Sequence, residues 1–488
     1  MPKNETSYNR ILKSTTIFGG SQAFNVIIGI VKTKIIAILL GSFGVGLIGV
    51  YQSIIDTIRS VASLGIDTSG IKEIASTNED ETTTEKKVSV FRRWFFFTAI
   101  IGAIACVVFC FPVSLLVFED IGHAMPVAAL SIAVFFLMMG TGRSVILQGL
   151  LKVADMAKAG IWSSLGGMVM TLPLYYIFGL EGIIPAFLVN AAVLYLVFDY
   201  YVRRLKIKRI KVSDSDFRTE GSKALRLGIP IVLSGIIGTV SILIIKTFLS
   251  HESDMNAAGL FQAVWTISNV YLAIILRAMA VDFYPRLSAT NDDDEASTLI
   301  NEQSYILLLV CTPAIIALML FSSTILSLFY SSEFVGATTL LQWQMAGTFF
   351  KIVAWPAAYI LLTKNKGKLF IISEILFWGV YVAVSYSLYS SQGMNAVGIG
   401  YLVAYIVYLI AIFIMARSAI NFRWNGDVVK IIGLNFILVL AAFGLSFLST
   451  WYVFPLQIIF FLASLVYSTF CLKKVFNIRD IKRWFKRN

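Results

Sequence analysis

About fourteen apolar stretches of roughly twenty residues constrain this chain more than any motif in it. They run near 15–40, 44–65, 94–118, 125–151, 160–179, 183–202, 226–249, 257–282, 304–330, 338–362, 369–389, 397–416, 429–448 and 452–472. About twenty residues is the helix length that crosses a hydrocarbon layer ~30 Å thick. None of the runs alternates with period two, so membrane strands are excluded and the spans are predicted to be helices. With 58% apolar and 14% charged residues and a mean hydropathy of +0.80, the balance is not that of a soluble domain. The predicted class is an all-α integral membrane protein.

Orientation follows from lysine and arginine. Of 40 basic residues, 33 lie in the N-terminal segment, the connections 66–93, 152–159, 203–226, 283–303, 363–368 and 417–430, and the C-terminal tail. The opposite connections, such as 41–43, 119–124, 250–256 and 331–337, hold none. That asymmetry predicts both termini in the cytoplasm and an even number of spans. Lys3, Arg10 and Lys13 precede the first apolar run as in a signal peptide. The run continues to about Leu40 without a small-residue cleavage site, so it reads as an uncleaved span. The acidic stretch 291–295 and the segment 77–85 read as solvated cytoplasmic loops.

The chain also reads as two copies of one design. Gly49-Val-Tyr-Gln-Ser53 opens the second span and Gly259-Leu-Phe-Gln-Ala263 the eighth, and Lys34 corresponds to Lys246. Six spans per copy make the copies parallel, related by a pseudo-two-fold axis along the membrane normal. The predicted domains are an N-terminal six-helix bundle (1–208), a C-terminal six-helix bundle (209–425), and helices 13 and 14 with a basic cytoplasmic tail (426–488).

Seven basic residues remain within spans: Lys32, Lys34, Arg59, Arg143, Lys246, Arg277 and Lys351. A cation at mid-membrane costs ~2.5–3.5 kcal/mol even on the gentler scale, so seven imply a cost of order 20 kcal/mol unless they meet water, a partner or an anion. Only Asp56 and Glu374 are clear acids at that depth, with Asp67, Asp199 and Asp282 near the cytoplasmic ends. The surplus predicts a hydrated cavity with positive walls, suited to an anionic cargo. Arg59, Arg143, Arg277 and Lys351 are its foremost candidates. Lys32, Lys34 and Lys246 lie toward the outer ends, where snorkelling to the interface is the alternative. Gln22, Asn25, Gly29 and Lys32 share one helical stripe, which favours Lys32 over Lys34, whereas the repeat favours Lys34. Asp56 and Arg59 are three apart and can pair with each other. Glu374 can neutralise a cavity cation or carry a proton, and Gln342, near Trp343, Trp355 and Tyr359, is a candidate polar contact for sugar.

These residues lie in segments that together resemble a known family. Lys34-Ile-Ile-Ala-Ile-Leu-Leu-Gly41, Gly46-Leu-Ile-Gly-Val-Tyr-Gln52, Gly259-Leu-Phe-Gln, Ser268-Asn-Val-Tyr271, Tyr284-Pro-Arg-Leu-Ser288, Gln342-Trp-Gln-Met-Ala-Gly347, Lys351 and Lys368-Leu-Phe-Ile-Ile-Ser-Glu374 follow the order found in Wzx-type O-antigen and oligosaccharide flippases. These form the polysaccharide transporter branch of the multidrug/oligosaccharidyl-lipid/polysaccharide (MOP) exporter superfamily, and the chain is especially similar to its enterobacterial common antigen lipid translocases. The resemblance implies two six-helix bundles in a V-shaped alternating-access arrangement in the bacterial cytoplasmic membrane. It implies an undecaprenyl-pyrophosphate-linked glycan as cargo, moved from the cytoplasmic to the outer leaflet. Polysaccharide polymerase machinery is the implied protein partner. Lys34, Lys351, Glu374 and Lys246 fall at the family's recurrent charged positions; Arg59 and Arg277 rest on the charge argument alone. Many members have twelve spans and end near Arg417, so the last pair here departs from them.

Other functions fit less well. The net charge of +12 would suit nucleic acid in a soluble protein, but here it follows membrane topology. Four cysteines inside apolar runs and two isolated histidines offer neither a disulfide framework nor a metal site, and no cofactor is expected. An enzyme needs catalytic groups on an outer loop, and those loops are a few residues long. A drug exporter of the same superfamily, coupled to an ion gradient, is the alternative; cationic drugs require buried carboxylates, which are outnumbered here.

Overall fold

The computed structural model describes residues 3–76, 81–208, 210–290, 292–364, 366–448 and 453–475. The basic tail beyond 475 and residues 77–80 of the predicted loop lie outside them. Every element within them is helical: α1 (Lys3–Ser63), α2 (Ile66–Ala75), α3 (Glu81–Val108), α4 (Cys110–Phe118), α5 (Ala124–Gly149), α6 (Val153–Phe178), α7 (Ile183–Arg204), α8 (Asp214–Glu252), α9 (Met255–Thr266), α10 (Ala273–Ala289), α11 (Asp293–Leu320), α12 (Ser322–Phe329), α13 (Thr338–Thr363), α14 (Gly367–Gln392), α15 (Asn395–Ile420), α16 (Gly426–Ser446) and α17 (Val453–Val475). Many of these residues are β-branched and poor helix formers in water. Inside a bilayer that preference is overridden, because only a helix pairs every backbone group within its own segment.

Among the described residues, twelve segments are long and apolar enough to cross a membrane. Two of them exceed one crossing: Gly20–Ser63 has 44 residues and Val153–Arg204 has 52. At 1.5 Å per residue, 44 residues extend about 66 Å, twice the ~30 Å layer. The first is broken at Gly41, whose φ of 65° and ψ of −169° no L side chain adopts comfortably. The second turns between α6 and α7 at Gly179, with φ of 55°. Apolar side chains face outward, as on Leu116, which is 68% exposed.

Caps fix several starts. Asn425 Oδ1 accepts from the Val428 amide at 2.8 Å at the start of α16, and Asp254 Oδ1 accepts from Ala257 N at 2.9 Å beside α9. The Asp254 carboxyl, also hydrogen-bonded by the Asn256 side chain, is held below its usual range. The acidic stretch expected to be a loop is instead the N-cap, Asp292, and the first turn, Asp293 to Glu295, of α11; Asn291 lies outside the described residues. Asp292 caps the helix through the amides of Asp294 and Glu295. Acids in a first turn are favoured by the helix dipole, which is why a charge run that reads as loop begins a helix.

The chain divides into two compact units, Met1–Gln262 with Phe329–Ser331, and Ala263–Leu328 with Ser332–Asn488. α8, which the sequence repeat places in the second bundle, thus packs within the first unit. The core of the first unit gathers Ile66, Phe91, Phe95, Val145 and Leu147, flanked by Trp94 stacked on Phe217 at 4.4 Å. In the second unit, α13 packs along α15 and α11, and α14 along α15.

Within the first unit the second half of α1 presents Ser42, Gly46, Gly49 and Ser53 on one face. α9 crosses it so closely that a Cβ on Gly46 would overlap the Met255 carbonyl, and one on Gly259 the Ser42 carbonyl. Ser42 Oγ donates to Asn256 Oδ1 at 2.8 Å beside this crossing. Here small side chains buy backbone proximity. Gly259→Leu is expected to lower the thermal unfolding midpoint of the detergent-purified protein sharply, since backbone cannot yield as a side-chain tip does. A midpoint equal to that of the parent would contradict this packing.

Candidate substrate site

A polar cavity of the first unit lies beside the second half of α1. Its volume is about 340 Å³, and its walls come from α1 (Asp56, Arg59, Ser60, Ser63), α2 (Asp67, Thr68), α3 (Phe95), α5 (Met138, Thr141) and α8 (Val232, Gly235, Thr239). Arg59 Nη2 donates to Thr141 Oγ1 at 3.0 Å, and its Nη1 lies 3.8 Å from Asp56 Oδ1. Asp56 Oδ1 also accepts from Gln52 Nε2 at 3.0 Å. Arg59 Nε has no hydrogen-bond partner among the described residues. Five hydroxyls line the cavity together with one guanidinium and two carboxylates. Its walls are therefore of mixed charge.

Lys246, 3% exposed, does not line this cavity. From α8 its Nζ donates to Gly49 O and Ser53 Oγ on α1, both at 2.7 Å. Its ammonium replaces water with protein oxygens, which accounts for a buried cation without a ligand. Lys32 Nζ, at 3.3 Å from Asn190 Oδ1, points to α7, and Asn25 on the same stripe faces Gly160 of α6. Gln22 and Lys34 are half-buried.

Arg143 departs most from expectation. It is 6% exposed, its Nε bonds Asp199 Oδ1 at 2.6 Å, and Arg203 Nε takes Asp199 Oδ2 at 2.5 Å. The guanidinium also lies 5.7 Å from the centre of the Tyr195 ring. Arg143 is thus locked onto a carboxylate of α7 rather than left free for cargo. Its partner lies 56 positions away, beyond what spacing along one helix reveals.

In the second unit, Lys351 on α13 donates to Asn269 Oδ1 at 2.7 Å and lies 5.7 Å from the Tyr405 ring centre. Tyr401 OH donates to the same Asn269 oxygen at 3.1 Å. Asn269 sits in a π-helical turn, Ile267–Tyr271, a local widening that often marks functional positions. Its Nδ2 has no hydrogen-bond partner among the described residues. Glu374 on α14 lies against the phenols of Tyr405 and Tyr408. Arg277 on α10 is exposed. Gln342 is a correction: at 4% exposure its amide donates to Ser322 Oγ and Ser446 O, tying α13 to α12 and α16. The neighbouring Trp343 ring meets Phe443 edge-on. Sequence reasoning missed Asn269 and Tyr401, although Asn269 stands in a segment that carries the family resemblance, and it missed Thr141 altogether.

The family of polysaccharide biosynthesis proteins matches residues 11–291, more than half of the chain. The chain belongs to that family. Among curated relatives, the lipid III flippase of Escherichia coli K12 is 21% identical over 389 residues, covering 78% of this chain and 92% of that protein. A putative O-antigen transporter of Shigella flexneri is 23% identical over 365 residues, covering 72% and 85%. Among solved structures, the lipid II flippase MurJ in an inward closed conformation superposes with a TM-score of 0.70 at 13% identity, covering 94% and 99%. An inward-facing multidrug MATE transporter of the MOP superfamily gives 0.66 at 18% identity, covering 86% and 95%. The fold is that of the MOP exporters, and the family membership accords with the resemblance read from the sequence.

Proposed function

We propose that this family member is a flippase for lipid-linked oligosaccharide in the bacterial cytoplasmic membrane. The cargo is an undecaprenyl-pyrophosphate-linked glycan, carried from the cytoplasmic to the outer leaflet by alternating access. The two long segments each fold into two crossings at Gly41 and Gly179, which brings the twelve segments to fourteen spans. Two parallel six-helix repeats plus α16 and α17 make up that number, and both termini lie in the cytoplasm by the lysine and arginine count.

The observation that carries the reading is the mixed cavity around Arg59. The Arg59 guanidinium, its side chain 30% exposed at the cavity wall, offers charge-assisted bonds to a diphosphate. The hydroxyls of Ser60, Ser63, Thr68, Thr141 and Thr239 suit sugar hydroxyls at short range. Lys351, held by Asn269 and lying against Tyr405, is the second anion contact, with Arg277 a third on the same unit's exposed surface. Lys246 and Arg143 hold helices together. Lys32, with Asn25 and Gln22, forms a polar stripe whose role is subsidiary. No bond is made or broken in this cycle, so no catalytic residue is assigned.

Moving two net negative charges outward across 100 mV, inside negative, gains ~4.6 kcal/mol when no countercharge accompanies them. Collapsing the potential of reconstituted liposomes with an ionophore is therefore expected to slow outward transfer. Transfer at an unchanged rate would show that the net charge moved is zero. The second reading, export of cationic drugs, is favoured by Asp56 and Asp67 in the same cavity. The Asp56 charge is shared with Arg59 and Gln52, which weakens it. Loss of drug resistance on deletion in a pump-deficient strain, with surface glycan normal, would establish it over the flippase.

A further inference from the structure

α16 and α17 both pack on α11 and touch each other only sparingly. The splay leaves a groove of about 690 Å³ within the second unit, larger than the cavity at Arg59. One end is charged. Glu302 of α11 and Asp427 and Lys430 of α16 stand at its mouth, where the apolar helices emerge. Lys430 Nζ is 3.8 Å from Asp427 Oδ1, a loose pair whose two side chains are more than four-fifths exposed. The other end is apolar, with Tyr305, Ile431, Leu434 and Tyr467. From Asp427 to Leu434 the groove descends about 10 Å along α16.

The mouth is held rigidly. Buried Asn301 accepts from the Asn425 amide at 2.9 Å and donates to Arg423 O at 3.1 Å, fixing the turn into α16 against α11. A groove open to the bilayer, charged at the surface and apolar below, has the shape of a lipid with its headgroup uppermost. The charge selects which lipid. Among the residues that line the groove, two carboxylates against one ammonium favour a headgroup ammonium beside its phosphate over a diphosphate.

We propose that this groove binds a structural aminophospholipid, its primary ammonium on Glu302 and Asp427 and its phosphate on Lys430. The occupant differs in charge from the cargo and does not travel. With the termini placed in the cytoplasm as in the flippase reading, the lipid comes from the inner leaflet. Primary amines donate three hydrogen bonds, which a choline headgroup lacks and a glycerol headgroup replaces without charge.

Retention of lipid by the full-length protein tests this without any transport step, so failure of the flippase reading leaves the result intact. The detergent-purified protein is presented with dioleoyl phosphatidylethanolamine, phosphatidylcholine or phosphatidylglycerol, and bound lipid is counted by native mass spectrometry. Phosphatidylethanolamine is expected to be retained about tenfold over the other two, the effect of one charge-assisted bond. Glu302→Gln with Asp427→Asn is expected to erase that preference. Both positions are exposed, so an unfolding midpoint equal to the parent's in lipid-free detergent is expected; should it fall, Glu302→Gln alone carries the test. Equal retention of all three lipids, or a preference that survives the double substitution, overturns the proposal. So does displacement of phosphatidylethanolamine by undecaprenyl phosphate one for one, which would assign the groove to the cargo chain.

Discussion

Alanine at both Arg59 and Lys351 is expected to cut outward transfer of lipid-linked glycan by about a hundredfold or more, with the protein still folded. A hydrogen bond to a charged group contributes about 1.5–3 kcal/mol, and each 1.4 kcal/mol is a factor of ten. Loss of one such contact therefore costs roughly ten- to a hundredfold, and loss of two multiplies. The fold should tolerate both changes. Asp56 retains its bond from Gln52, and Asn269 retains its bond from Tyr401. Lys351→Arg, which keeps the charge, is expected to preserve part of the activity where Lys351→Ala does not. The check is surface glycan in cells whose membrane abundance of each variant matches the parent. Normal glycan from an abundant double variant would remove both residues from cargo handling.

Asp199→Ala should act on stability instead. It strands two arginines, one of them 6% exposed, and breaking a buried pair from one side costs about 3–5 kcal/mol. A lowered unfolding midpoint and reduced membrane abundance are expected. Replacing the pair together, Arg143→Met with Asp199→Leu, should recover most of that loss, because an apolar pair of similar volume leaves no buried charge uncompensated. Lost transport at full stability in Arg143→Met with Asp199→Leu would return Arg143 to the cargo path. Both outcomes are read by thermal unfolding of the purified variants beside a transport assay.

The fold was legible because hydropathy over twenty-residue windows is a bulk property, insensitive to individual contacts. The span near 125–151 coincides closely with α5, and that near 160–179 ends with α6, which begins seven residues earlier at Val153. What the sequence could not show was continuity: helix runs through both sides of Gly41, and only its positive φ marks the break. The acidic start of α11 was misread for a related reason, since a charge run says loop while capping geometry says helix.

The site was legible by residue type and illegible by pairing. Counting cations at depth singled out Arg59 and Lys351; Arg59 bonds Thr141 and lies 3.8 Å from the Asp56 carboxylate, whereas Lys351 bonds the Asn269 amide oxygen. The same count promoted Arg143, whose neutralising Asp199 belongs to another helix and was assigned to the interface. Lys246 looked like a ligand-binding cation, yet the Gly49 carbonyl and the Ser53 hydroxyl satisfy it. Such bonds join residues nearly 200 positions apart, and no local pattern encodes them. Gln342 failed in the same way, its amide spent on neighbouring helices.

The flippase assignment turns on whether an anionic lipid-linked glycan crosses the bilayer through contact with Arg59 and Lys351. Full-length protein reconstituted into liposomes with a diphosphate-linked oligosaccharide, and probed by a glycosidase confined to the outside, reads this directly. The parent is expected to expose inner-leaflet glycan steadily, while Arg59→Ala with Lys351→Ala stays at the share exposed by protein-free liposomes. Equal exposure by parent and double variant, or by parent and protein-free liposomes, would contradict it.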